Sequence, residues 1–164
     1  MKILSSEHMK AWDSYTIQKE PISSYNLMER AGKKCFNEII KQFTKKRFHI
    51  IVNKGNNGGD GLVILRHLIQ IKKKTRLTII DISKNETKDF TKNLKLIEKH
   101  SYIKIKHADE LIIDNGELII DCIFGTGLNK PIISKFAEVI DKINQSKCEI
   151  LSIDMPSGLF SDDN

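Results

Sequence analysis

A glycine-rich loop between an apolar run and a helical pattern constrains the fold of this chain more than any other feature. Residues 48–52 (FHIIV) are mostly apolar and rich in β-branched side chains, which indicates a strand. The loop NKGNNGGDG follows, and leucine and isoleucine then recur at helical spacing up to Leu68. The stretch therefore predicts a strand, a tight loop and a helix. The N-terminal amides of that helix would face a crevice and favour an anion there.

The loop itself combines small and polar residues. Its four glycines allow backbone conformations and close approaches that a Cβ would forbid, and two asparagines and an aspartate add polar groups. The residues concerned are Gly55, Asn56, Asn57, Gly58, Gly59, Asp60 and Gly61. A turn that uses glycine and asparagine only for its geometry is the alternative interpretation.

Length and cysteine usage indicate one domain with its own core. A chain of 164 residues buries most of its apolar surface without a disulfide or metal staple. Cys35, Cys122 and Cys148 are widely spaced, which favours reduced thiols in the core of a cytoplasmic protein. The N-terminal apolar run is too short for a signal peptide, and no window reaches the length of a membrane span. We therefore expect no membrane partner.

The formal net charge of +6 raises the question of nucleic-acid binding, because cationic patches bind phosphate chains. Basic clusters such as Lys72, Lys73 and Lys74 fall at predicted helix C-termini, where cations stabilise the helix dipole. Aromatic residues make up only 7% of the chain and do not alternate with the lysines, so no stacking platform is evident. The composition therefore disfavours nucleic acid as a partner.

Strands and helices alternate along most of the chain. Two N-terminal helices are predicted, the first capped by Ser5 or Ser6 and the second by Ser23 or Ser24. The second helix has an apolar face formed by Leu27, Met28, Ala31, Cys35, Ile39 and Phe43. Further helices are predicted at about 86–99 and 132–145. Strands are predicted at 48–52, 75–80, 103–106, 118–124 and 149–153, the third near a sheet edge and the last buried. This order predicts an α/β fold, a mostly parallel sheet with helices on both faces.

Three loops stand at predicted strand ends: NKGNNGGDG, GTGLNKP and DMPSG. Ligands of open α/β sheets bind at the carboxyl ends of the strands, so the three loops predict one site. The loops contain neither G-x-G-x-x-G nor G-x-x-x-x-G-K-[ST], so the chain carries neither the usual dehydrogenase fingerprint nor a P-loop.

Four motifs together resemble one family. LMERAG at 27–32, GNNGGDGLV at 55–63, DCIFGTGLNKP at 121–131 and IDMPSGL at 153–159 are similar to those of the YjeF N-terminal domain, the NAD(P)H-hydrate epimerase family. The resemblance implies a Rossmann-like three-layer sandwich. It implies an isomerase that interconverts the R and S epimers of NADHX and NADPHX, damaged cofactors with a hydroxyl at C6 of the reduced nicotinamide ring. A fused or separate ADP/ATP-dependent dehydratase would then repair the S epimer.

The resemblance also implies roles for individual residues. The hydrated dinucleotide would be bound by Asn56, Asn57, Gly58, Gly59, Asp60, Gly125, Thr126, Gly127, Leu128, Asn129, Lys130, Pro131 and Asp154. A potassium ion would be held by residues matching Asn57, Asp121 and Ser157. Oxygen donors of this kind suit a hard cation.

The C6 carbon bears both a ring nitrogen and a hydroxyl, so a carboxylate that acts as acid or base would assist its inversion. Inversion requires reversible loss of water or ring opening, and a carboxylate near the hydroxyl would accelerate either route. Asp154 is the first choice and Asp60 the second. Structural alternatives stay open: Asp60 as a helix cap, Asp121 as a loop brace, and Lys130 as a solvated side chain rather than a phosphate contact.

The chain departs from the family pattern at three places. Asn53 and Lys54 replace the usual glycine and proline, which changes the entry to the loop and could add a phosphate contact. Met155 replaces a branched aliphatic residue, a mild change of core volume. The sequence ends at Asn164, and we expect the last strands of the family domain to be lacking. A homodimer or a fused domain would then cover an open sheet edge. A non-catalytic nucleotide-binding or scaffold module of the same fold is the competing hypothesis.

Overall fold

The computed structural model describes residues 5–44 and 46–162, so the start of the N-terminal segment and the last two residues lie outside it. The strands are β1 (Arg47–Val52), β2 (Thr75–Ile80), β3 (Ile103–Ile105), β4 (Glu117–Cys122) and β5 (Glu149–Ser152). The helices are α1 (Ser6–Lys19), α2 (Ser24–Gln42), α3 (Asn56–Gln70), α4 (Lys88–Lys95) and α5 (Lys135–Gln145), with a 3₁₀ turn at Ala108–Glu110. Among the residues described, none of the helices combines the length and the apolar composition that a membrane span requires.

The five strands form one parallel sheet in the order β3-β2-β1-β4-β5. The chain builds outward from the central β1 to β2 and β3, and then crosses to β4 and β5 on the other side. At the end of β1, Val52 lies opposite Ile79 of β2 and Cys122 of β4. The direction of strand addition therefore reverses between β1 and β4, and a crevice opens at the carboxyl ends of these two strands.

Helices cover both faces of the sheet, as the alternation of elements predicts. Ile50 and Val52 contribute to one apolar cluster with residues of α2, α3 and α4, whereas Ile51 contributes to a second cluster with residues of α5. Because β1 carries buried side chains on both faces, its sequence is a mostly apolar run rather than an alternation of apolar and polar residues. The predicted α/β sandwich with a mostly parallel sheet is confirmed.

Two helices are shorter than predicted. The helix expected at 86–99 is Lys88–Lys95, because Thr87 caps its start and i to i+3 hydrogen bonds tighten the chain from Leu96 onward. The helix expected from residue 132 begins at Lys135, because Ser134 has a φ of 59° and so cannot continue a right-handed helix from the preceding residues.

The prediction that the last strand is buried is wrong. Glu149 and Ile150 of β5 are exposed, since β5 pairs only with β4 among the residues described. β3 lies at the opposite edge, as predicted, and its Ile103 and Lys104 are exposed.

Helix α1 lies outside the core. Ser5 caps it as predicted, but α1 buries none of its side chains, and Trp12 is 61% exposed. Ala31 of α2, predicted to face inward, is exposed and lines a groove of about 570 Å³ between α1 and α2. The helix is tied to the end of the described chain, because the backbone amide and hydroxyl of Ser6 donate to Asp162 at 2.9 and 2.6 Å.

The glycines after β1 serve close packing rather than unusual backbone angles. None of the four has a positive φ. A Cβ on Gly58 would lie 1.7 Å from the carbonyl oxygen of Asn53, and one on Gly61 would lie 2.8 Å from the Cys122 side chain. The expected close approaches are therefore present, whereas the expected special conformations are absent.

Replacing Gly58 with alanine is expected to destabilise the fold by about 3 kcal/mol or more, because the clash is with backbone and cannot be relieved by a rotamer change. The matched control is Gly55→Ala, since a Cβ there meets nothing within 4 Å, and we expect a cost below about 1 kcal/mol. Urea unfolding of both variants measures the difference. Equal midpoints would contradict the packing role of Gly58.

Candidate functional site

The three loops predicted to converge do so in one cleft at the carboxyl ends of β1, β4 and β5. The cleft has a volume of about 690 Å³. Its walls come from the start of α3, the loop after β4 and the turn after β5, and α1 and α2 contribute Met9, Asp13 and Cys35. The reversal of strand order next to β1 produces this opening, because the helices that follow β1 and β4 lie on opposite faces of the sheet.

The N-terminus of α3 faces the cleft. Gly55 is its N-cap residue, and Asn56 and Asn57 form its first two positions. Since glycine offers no capping side chain, the first amides of α3 have no side-chain partner at the cap. These amides and the positive end of the helix dipole make this end of the cleft suited to a diphosphate group.

Asp60 lies within the first turns of α3 and lines the cleft, so it does not cap the helix. Burial, reinforced by the negative charges of Asp154 and Asp13, raises the pKa of its carboxyl to about 7. Near neutral pH this carboxyl therefore exists in both protonated and ionised forms. A group poised in this way can donate or accept a proton.

Asp154 follows β5 and projects into the cleft from an unusual backbone conformation, with a φ of 69°. The backbone amide of Thr126 donates a 2.7 Å hydrogen bond to its Oδ2 atom. Glycine at position 125 leaves room for this carboxylate, because a Cβ there would lie 2.2 Å from the same oxygen and would displace it. The loop after β4 therefore holds the Asp154 carboxylate in place, and its strained backbone is typical of functional positions.

Asn57, Asp121 and Ser157 meet around the backbone of Phe124. The Asn57 side-chain amide donates to the Phe124 carbonyl oxygen at 2.8 Å, and the Phe124 amide donates to Ser157 Oγ at 3.0 Å. Ser157 Oγ in turn donates to Asp121 Oδ1 at 2.6 Å. The backbone amides of Ile123 and Ser157 and the hydroxyl of Ser152 also donate to Asp121. Asp121 thus braces the loops after β4 and β5.

One oxygen in this cluster lacks a partner. Asn57 Oδ1 is buried and accepts no hydrogen bond from the residues that the structure describes, which is unfavourable unless a cation or water contacts it. Its neighbours are oxygen donors, namely the Phe124 carbonyl and Ser157 Oγ, and oxygen ligands suit a hard monovalent or divalent cation. No group of three or more His, Cys, Asp or Glu suited to a metal occurs in the described ranges.

The cleft brings together many, but not all, of the residues expected to bind a dinucleotide. Those that line it are Asn56, Asn57, Asp60, Gly125, Thr126, Gly127, Leu128, Asn129, Lys130 and Asp154. Gly58 and Gly59 are buried behind the wall, against Asn53 and Met28 respectively, and Pro131 is outside the lining. Asp121 and Ser157 lie beneath the loops.

Several cleft residues outside the three loops were not assigned to the site from the sequence, among them Met9, Asp13 and Cys35. Met9 and Asp13 come from α1, and Cys35 comes from α2, far from any glycine-rich loop. Burial, together with the nearby charge of Asp60, raises the pKa of the Cys35 thiol, so this group stays protonated and does not act as a nucleophile. Only the folded chain, in which these residues line the same cleft as the loops, shows that they belong to the site.

The fold and cleft define a class. This is a Rossmann-like α/β protein with a cleft at the switch point of a parallel sheet, and a helix N-terminus and two aspartates line that cleft. The family model for the YjeF-related protein N-terminus matches residues 24–164. The chain belongs to this family.

Relatives and a solved structure agree with this assignment. A Limosilactobacillus reuteri protein named NAD(P)H-hydrate epimerase is 33% identical over 98% of this chain and 76% of its own length. A protein of the same name from Anaerococcus prevotii is 33% identical over 99% of this chain and 77% of its own length. Another from Oenococcus oeni is 30% identical over 97% of this chain and 76% of its own length. The crystal structure of yeast ynu0, YNL200c, superposes with a TM-score of 0.81 at 24% identity, over 96% of this chain and 72% of that one, and shares the fold.

Proposed function

We propose that this chain is an NAD(P)H-hydrate epimerase, an isomerase that interconverts the R and S epimers of NADHX and NADPHX. The observation that carries the proposal is the pair of carboxylates, Asp60 and Asp154, that face one cleft at the switch point of the sheet. The relatives that match nearly the whole chain carry the name of this activity.

The carboxylates fit the chemistry at C6 of the hydrated ring. The C6–O bond breaks, the oxygen leaves with the bonding pair and takes a proton from one carboxyl as water, and the ring nitrogen lone pair forms a C=N bond. Water then adds to the other face and gives a proton to the second carboxylate. Asp60 suits the donor role because its pKa is about 7, and Asp154 suits the acceptor role because Thr126 fixes its carboxylate. In the reverse direction the two residues exchange roles.

The remainder of the cleft fits the rest of the substrate. The open amides of α3, with Asn56 and Asn57, would hold the diphosphate, and the loop 125–131, which carries Lys130, would form the facing wall. Gly58 and Gly59 would act by packing, since their lack of side chains lets α3 approach β1 and α2.

Asn57, Asp121 and Ser157 would hold the potassium ion expected of this family. The buried and unpartnered Asn57 Oδ1, with oxygen donors around it, supports this assignment. When bound, the ion would supply positive charge beneath the loops that carry Phe124 and Ser157. The chain's own hydrogen bonds already connect these loops through Asp121.

The proposal also covers the partners of the enzyme and its location in the cell. A dehydratase, fused or separate and dependent on ADP or ATP, would consume the S epimer. Exposed Trp12 and Tyr15 on α1, and the side of β5 that pairs with no further strand among the residues described, support a homodimer. The three free cysteines support a cytoplasmic location.

The test measures the chromatographic ratio of R to S epimers after purified R-NADHX is mixed with the protein, against the spontaneous rate. We expect rapid approach to the equilibrium mixture, and faster approach with potassium than with an equal concentration of sodium. Absence of acceleration by the folded protein would overturn the epimerase and favour a non-catalytic nucleotide-binding module.

A further inference from the structure

A second cavity lies at the carboxyl ends of β2 and β3, on the other side of the β1–α3 loop from the cleft. It has a volume of about 260 Å³, and its charged lining consists of Lys54, Asp81, Lys84, Lys106 and Lys135. Lys54 separates the two spaces, because its chain neighbours Asn53 and Gly55 line the cleft. We refer to this space as the lysine cavity.

The lysine cavity carries an excess of positive charge. Among the residues described, Asp81 is its only acidic lining residue, and Asp81 is already paired with Lys54 through a 2.5 Å contact. Lys84, Lys106 and Lys135 form no ion pair within the described part of the chain. Three unpaired ammonium groups around one small cavity bind an anion with two negative charges better than a neutral group.

The position of this cavity in the sheet indicates which anion it would bind. A dinucleotide on a parallel sheet of this strand order lies across the switch point, with its adenine ribose over the end of β2. If the nicotinamide end lies beside Asp154 after β5, the other end passes β4 and β1 to reach β2. These three strand spacings amount to about 14 Å, within reach of an extended dinucleotide.

We propose that the lysine cavity binds the 2′-phosphate of the adenine ribose and makes NADPHX the preferred substrate over NADHX. This inference rests on the proposed epimerase function and names the substrate form that the same site selects. Lys84 and Lys106 are the residues that determine specificity, and Lys135 contributes from the first turn of α5.

The state of Asp81 agrees with a phosphate rather than a ribose hydroxyl. In proteins that bind NAD, an acidic residue at the end of β2 accepts a hydrogen bond from the ribose 2′-hydroxyl. Asp81 follows β2 directly, but Lys54 Nζ donates to its Oδ1 at 2.5 Å. The side-chain hydrogen bond from Lys54 holds the pKa of Asp81 below its ordinary value, so this carboxylate stays ionised at neutral pH. Lys54 thus neutralises a carboxylate that would otherwise repel a phosphate.

The test compares the two substrates in the double variant Lys84→Gln/Lys106→Gln. We expect the KM for NADPHX to rise about tenfold, with kcat for NADPHX and both constants for NADHX unchanged. The control is Lys99→Gln/Lys147→Gln, which removes the same charge from exposed positions just before β3 and β5, at the amino ends of the strands. An equal change for both substrates, or no change for either, would overturn the proposal.

A binding experiment separates failure of this inference from failure of the epimerase proposal. Calorimetry compares adenosine 2′,5′-bisphosphate with adenosine 5′-monophosphate, and neither ligand undergoes the reaction. Tighter binding of the bisphosphate to the natural chain, lost in the double variant and kept in the control, supports the phosphate site even if no epimerisation is observed. Equal binding of the two nucleotides to the natural chain would reject the site, whatever the activity.

Discussion

Asp154→Asn is expected to lower the rate of epimerisation by a factor of about 10² to 10⁴, the usual contribution of a positioned acid or base. The change removes a proton-transferring group and keeps the side chain nearly the same size. Because an amide oxygen also accepts hydrogen bonds, the bond from the Thr126 amide can persist. We therefore expect a native circular dichroism spectrum and a melting temperature within a few degrees of the natural chain.

The matched control for this substitution is Asp141→Asn on α5. Asp141 is exposed and does not line the cleft, so the same chemical change there should leave the rate unaltered. Rates are taken from the approach of R-NADHX to its equilibrium mixture, after subtraction of the spontaneous reaction. Turnover by Asp154→Asn within a factor of about three of the natural chain would reject a catalytic role for this residue.

The rate of epimerisation is also expected to fall as the pH rises through about 7. The proposed mechanism needs one proton on the pair formed by Asp60 and Asp154. Burial and the charges of Asp154 and Asp13 place the pKa of Asp60 at about 7. Above this pH Asp60 is ionised and the pair has lost its proton. We therefore expect kcat/KM to decline for the R-to-S and the S-to-R reaction alike, about tenfold per pH unit in the alkaline limb.

The Asp13→Asn variant tests the cause of this pH dependence. Asp13 lies on α1, lines the cleft and adds a negative charge that raises the pKa of Asp60. Without that charge Asp60 ionises more readily, so the alkaline limb should move to lower pH. Asp141→Asn should leave the limb in place. A rate independent of pH between about 6 and 8 would remove Asp60 from the mechanism.

The sequence predicted the sheet and the edge at which ligands bind, because both depend on local patterns. Apolar runs such as 48–52 and the loops that follow them are contiguous in sequence, and parallel strands bring their carboxyl ends to the same edge. The motifs around Asp60 and Asp154 could therefore be assigned to one site before the chain was folded. The assigned roles at these residues stay predictions.

The parts that the sequence did not predict depend on packing between distant elements. Ser134 breaks the first turn of a helix whose apolar pattern continues through Ile132 and Ile133, and no pattern reveals its φ of 59°. The apolar composition of β5 resembles that of a buried strand, yet the position of β5 in the sheet leaves Ile150 exposed. The pair of Lys54 and Asp81 joins residues 27 positions apart and appears only when β1 and β2 lie side by side.

The strand order has a consequence for the time at which the cleft forms. β1 and β2 pair residues such as Phe48 and Thr75, which are 27 positions apart, whereas Val52 and Cys122 of β1 and β4 are 70 positions apart. Closing the shorter loop costs less chain entropy, so the β1–α3–β2 unit is expected to fold before β4 and β5 join it. The lysine cavity takes Lys54 from this early unit and residues 81–84 from the segment directly after β2, but the carboxylate of Asp154 arrives with the last strand. During folding, the chain would therefore acquire affinity for phosphate before it acquires the geometry for proton transfer.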